Sequence, residues 1–215
     1  MCYSANLSLL SLSFGFFASF MLINFGNKQS ESTNKTIGYF FLFVTLMQFI
    51  EYLLWTDIDC VNGLNMVGSY LGPILNHLQP IVLLILASTF LKSTNIISPS
   101  IIISANIIYL IYCVYQYVKY VTDKSNLCVR TNNCNHLDWT WKKDFKYLFF
   151  HSILFINIAN FYNNTNLIVS IGISYVLFFI SLLGFKQNAG EFWCLMVTGI
   201  PLLNLFMEKV LNINN

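Results

Sequence analysis

Charge is what this sequence has least of. Asp, Glu, Lys and Arg make up 9% of its 215 residues, against about 25% in soluble domains. So few charges cannot cover the surface of a water-soluble fold of this size, and that class is excluded. A bilayer removes the requirement, and the 56% hydrophobic content and mean hydropathy of +0.63 suit one. Residues 1–6 contain no Lys or Arg. The basic start of a secretory signal is therefore missing, and the first apolar run reads as a retained helix.

What is present is a series of apolar runs. They predict seven spans: Leu7–Phe25, Ile37–Trp55, a longer kinked Val67–Leu91, Ile96–Val118, Tyr147–Tyr162, Leu167–Phe185 and Phe192–Val210. A bilayer accepts about 17–25 residues per helix. The expected fold is all-α, an integral membrane bundle of seven transmembrane helices forming a single domain over 1–215. Six is the alternative, because the fifth run is short and carries His151, Asn157 and Asn160. No run repeats another, so no inverted repeat is expected.

Seven spans place the N-terminus and the loops at 56–66, 119–146 and 186–191 on one side, called face A. Lys28, Lys35, Lys92 and Lys209 fall on the other side, against Lys186 alone in the short face-A loops. The positive-inside rule then puts the N-terminus outside and the C-terminus in the cytoplasm. Lys119, Lys124, Arg130, Lys142, Lys143 and Lys146 in the long loop oppose that orientation.

In the second run Gln48, Glu51, Tyr52 and Trp55 stand at i, i+3, i+4 and i+7, one stripe along a helix. Polar groups in hydrocarbon are costly, so the stripe is expected to face the bundle interior. The alternative places Glu51, about 6 Å below Trp55 at helical rise, at the water interface. In the third run Asn76, His77 and Gln79 cluster before Pro80. Proline frees a backbone carbonyl, which in a membrane needs a partner nearby. A polar ligand or ion pocket using Gln48, Glu51, Trp55, Asn76, His77, Gln79 and Glu191 is the expectation. For the third run a helix–helix hydrogen-bond cluster is the bland alternative. For Glu191 it is a favourable charge at a helix N-terminus.

The long loop carries Cys128 and Cys134. A disulfide between them leads if face A is oxidising, ahead of two free thiols. A metal site adding His136 and Asp138 comes last, since the cysteine spacing fits no usual zinc pattern, and no metal is expected. Trp139 and Trp141, beside Lys142 and Lys143, read as an interfacial anchor lying on the bilayer.

Some seven-helix classes are excluded by missing residues. No lysine lies deep in the last run, which rules against a retinal protein, and no acidic-Arg-aromatic motif follows the third run, as a G-protein-type receptor would show. Gln79-Pro80 reverses the order of the Pro-Gln transporter loop and has no second copy. His77 and His151 differ in predicted depth by about 9 Å, which argues against a haem held between them.

The opening "MCYSANLS" at Met1–Ser8 and "QFIEYLLW" at Gln48–Trp55 carry a resemblance. The chain resembles an uncharacterised multispanning membrane family of bacteria and large DNA viruses. Its members open with Met-Cys-aromatic-Ser-Ala and carry Gln-x-x-Glu-x-x-x-Trp in the second helix. Bacterial members often have Gln and Gly where this chain has Met47 and Tyr52. The resemblance implies membrane residence and no reaction. Abundant Asn and Ile with little Ala suit an AT-rich genome such as a giant virus, which would place the chain in a host-cell or virion membrane.

The functional expectation is binding or transport of a small ligand or ion, with Glu51 at the pocket. A structural membrane protein ranks second. An intramembrane enzyme ranks third, with Cys2 as nucleophile and Glu51 or His77 as base. The lipid bilayer is the expected partner, and neither a cofactor nor nucleic acid is expected.

Overall fold

Proline and glycine punctuate the apolar runs, and the helix boundaries follow them. The computed structural model describes residues 4–132, 136–143, 145–185 and 189–210. Within these lie nine α-helices: α1 Ala5–Phe25, α2 Glu31–Thr56, α3 Leu64–His77, α4 Gln79–Phe90, α5 Pro99–Thr122, α6 Tyr147–Ala159, α7 Thr165–Phe185, α8 Ala189–Val197 and α9 Ile200–Val210. Ser4 caps α1 through its hydroxyl, which accepts the Leu7 N–H. Pro80, Pro99 and Pro201 each fall within the first two residues of a helix, where a missing N–H removes no internal bond.

Two of the runs divide. The third breaks at Leu78 into α3 and α4, bent by 51°. The seventh breaks at Thr198–Gly199 into α8 and α9. Among the described residues four helices (α1, α2, α5 and α7) are long and apolar enough to cross a membrane, and five if the bent α3–α4 pair is taken as one span. At 13 residues, α6 is about 20 Å long, short of a hydrocarbon core of about 30 Å.

Hydrogen bonds gather the connections at two ends of the bundle. At one end Glu208, buried at the close of α9, accepts from the Asn27 N–H at 2.8 Å and from Asn34 Nδ2 at 3.1 Å. Asn166 Nδ2 reaches its other oxygen at 3.5 Å. At the same end Asn160 binds the Ile97 N–H and C=O, and Asn164 Nδ2 donates to Thr33. The opposite end holds the 57–65 loop and the described residues of the 123–143 loop, joined by Cys60–Cys128 and by Asn65 on Val129. The core runs along α2, which packs most closely on α1, with Leu22, Ile37, Phe41, Val44, Leu83 and Leu167 fully buried.

Candidate functional site

The break between α3 and α4 leaves the His77 carbonyl without the N–H that a straight helix would bring to it. Tyr109 OH on α5 donates to the His77 carbonyl at 2.8 Å. Asn157 Nδ2 on α6 donates to the Pro80 carbonyl at 2.8 Å and exchanges further bonds with Asn106. The His77 ring stacks flat on Phe145, with centroids 3.6 Å apart. Three segments, α5, α6 and the stretch holding Phe145, thus converge on the bend, each supplying a polar or aromatic contact.

Over this junction folds the 123–146 segment. Cys60 and Cys128 form a disulfide. This corrects the expected Cys128–Cys134 pairing: one sulfur makes one bond, and folding brings Cys60, distant in sequence, beside Cys128. Cys134 lies outside the described residues, as does Cys2. Next to the disulfide, Asn65 Nδ2 donates to the Val129 carbonyl and Asn65 Oδ1 accepts the Val129 N–H, both at 2.8 Å. Asp57 gathers the N–H groups of Val61, Asn62 and Asn65. Trp139 and Trp141 are buried, 1% and 4% exposed, and stack on each other. A Cβ on Gly72 would come within 2.6 Å of the Trp141 ring. The two indoles therefore plug the bundle end, which corrects their reading as an anchor lying on the bilayer. Apolar burial wins because α3 offers a glycine-made recess that fits the ring.

The Asn62 N–H, with those of Asn65 and Val61, holds the Asp57 carboxyl below its ordinary value of 3.8 against the opposing effect of desolvation. A lowered folded pKa stabilises the fold above the ordinary value, and this is lost as pH falls through the folded one. Thermal midpoints in detergent are thus expected to drop as pH falls below about 4. Asp57→Asn should flatten that dependence and lower the midpoint at neutral pH. An unchanged acid profile in the variant would remove Asp57 as its source.

Beneath the loop lies a cavity of about 240 Å³. Its walls are mostly aromatic and aliphatic, from α2, α6, α7 and α8. The polar residues in its wall are Asn76 and Gln79 at the bend, Lys142 and Trp139 of the loop, and the His151–Tyr175 pair, joined at 2.9 Å. Gln79 is 1% exposed and its Nε2 meets no hydrogen-bond partner among the described residues; the same holds for Trp139 Nε1. Trp193 differs, since its Nε1 donates to Ser174. A second, more polar concavity of about 220 Å³ is lined by His77, Lys119, Asp123, Trp141 and Lys143.

The residues singled out from sequence therefore disperse. Asn76 and Gln79 line the first cavity and His77 the second, because neighbouring positions on a helix point apart. Gln48 and Glu51 are buried at 1% and 5% exposure and Trp55 is half-buried, but all three are absent from both linings. Glu191 sits in the first turn of α8, and its side chain lies outside the described residues. Sequence reading missed Trp139, His151 and Tyr175 as wall residues and Glu208 as a polar hub. A signal existed for His151, a histidine in an apolar run; none marks the Tyr175 register.

No protein-family model, no curated protein and no solved structure matches this chain.

Proposed function

We propose that this chain is a seven-pass integral membrane protein that binds a small ligand in the cavity beneath the 123–146 loop. The Gln79 amide carries the reading: it is buried in the wall of a cavity of about 240 Å³, and its Nε2 meets no hydrogen-bond partner among the described residues. An unsatisfied buried donor costs about 1–3 kcal/mol, a cost that a ligand acceptor relieves. The alternation of loops between two bundle ends supports seven passes, with α8 and α9 together as the last. The Cys60–Cys128 bond supports an N-terminus outside, because disulfides persist away from the reducing cytosol. The Met1–Ser8 and Gln48–Trp55 stretches support membership of the multispanning family they resemble.

Native mass spectrometry from detergent tests the binding. The wild type is expected to carry an added mass that collisional activation releases. Gln79→Leu should weaken its retention about two- to tenfold, the factor of one net hydrogen bond. The same change should leave the empty protein equally or more stable, since it removes an orphaned donor. Glu51→Gln, outside the lining, should leave retention unchanged. Wild type without added mass, or Gln79→Leu retaining it fully, overturns the reading.

A further inference from the structure

We infer that the ligand is a single-chain lipid with an acceptor head group, admitted sideways from the bilayer between α6 and α7. This rests on the cavity being a binding site. One end is lined by donor residues. The Trp139 indole and the Lys142 ammonium, the latter paired with Asp138 at 3.4 Å, can only donate, and the Gln79 amide can turn to do so. A carboxylate or phosphate is the complement. Away from that end the walls are Phe40, Phe150, Leu154, Ile171 and Phe178, which suit a hydrocarbon tail.

The route follows from a third concavity, about 450 Å³, on the outer surface of α6 and α7. It is lined by Phe155, Ile158, Ile168, Gly172 and Phe179, and it shares His151, Ile171, Tyr175 and Phe178 with the cavity. Groove and cavity are thus back to back, with the His151–Tyr175 hydrogen bond standing between them. Although consecutive in sequence, α6 and α7 hold their backbones apart, α6 lying closer to α4 and α5 and α7 to α8, and only side chains close the gap: Phe155 stacks on Tyr175 with centroids 5.0 Å apart, and His151 meets Tyr175 and Phe178. Phe155 and Phe179 are 51% and 59% exposed, on a surface that faces hydrocarbon in a membrane. From the water side the cavity is roofed by buried Trp139, in a loop tied down by Cys60–Cys128. Alone, the cavity falls just below the about 300–1,000 Å³ of ligand pockets; with the groove it enters that range.

Indole fluorescence reads the test. The protein is placed in phosphatidylcholine vesicles and exposed to bromostearate in the bilayer or bromobutyrate in the water. Bromostearate is expected to quench saturably, with unbrominated stearate competing and the saturable part reduced in Trp139→Phe and absent in Trp139→Phe/Trp193→Phe, since both indoles line the cavity. Tyr175→Phe, which opens the His151 bridge, should speed the onset about two- to tenfold. Gly172→Leu should slow it severalfold; a Cβ there meets nothing within 4 Å, and an unchanged melting midpoint confirms an intact fold. Saturable quenching by bromobutyrate alone keeps the cavity as a site and overturns the lipid. Quenching by neither probe overturns both. Bromostearate onset unaffected by Tyr175→Phe and Gly172→Leu overturns the sideways route.

Discussion

Cys60→Ser is expected to lower the unfolding free energy by about 4 kcal/mol, the chain-entropy value for cysteines 68 residues apart. The bond closes a loop holding α3, α4 and α5, so its loss frees a large part of the unfolded chain. Denaturant midpoints in detergent, with and without reductant, measure the effect. Cys128→Ser should match Cys60→Ser, and the double variant should match either single one. Peptide mapping without reductant should return Cys60 crosslinked to Cys128. Additive losses, or a midpoint indifferent to reductant, would show that the bond does not hold this end.

Glu208→Leu is the second large effect. Glu208 serves the Asn27 N–H and Asn34 Nδ2 at hydrogen-bond distance and sits 4% exposed. Removing it strips these donors of a charged acceptor, at about 1–3 kcal/mol for each orphaned group. A total near 3 kcal/mol corresponds to a melting shift of about 6–12 °C for a chain of this size. Glu208→Gln keeps one acceptor oxygen and should lose less. Equal midpoints for wild type and Glu208→Leu would mean that water replaces the carboxylate without loss. Because Glu208 ties α9 to the start of α2, protease cutting near Asn27 should also rise in the variant.

Helix content was legible, because composition and apolar runs depend on neighbouring residues alone. The apolar runs coincide with helices, and the Pro80 bend falls where the ring removes an N–H. The partners of that bend were not legible. Tyr109 reaches the open His77 carbonyl from α5 and Asn157 the Pro80 carbonyl from α6, and their register is set by packing. The cysteines show the same limit. Spacing favoured Cys134 for Cys128, since short loops close cheaply, yet the choice belonged to the fold that seats Asn65 against Val129. Trp139 and Trp141 looked interfacial from their lysine neighbours, and the recesses that bury them come from other helices, Gly72 on α3 for Trp141 and Gly190 on α8 for Trp139. Asn76 and His77, adjacent in sequence, were grouped as one site and face two.

The amide pair between α5 and α6 bears on how the chain is made. Asn106 leaves the ribosome 51 residues before Asn157. In the meantime its Nδ2 has a partner within its own helix, the Ile102 carbonyl at 2.9 Å. So α5 can stand in lipid before its neighbour exists. The later helix has no such provision. Among the described residues Asn157 bonds only outward, to Asn106 and Pro80, and α6 is too short to cross a bilayer by itself. Synthesis from the N-terminus therefore delivers the self-sufficient helix first and the dependent one second, when both of its partners are already waiting.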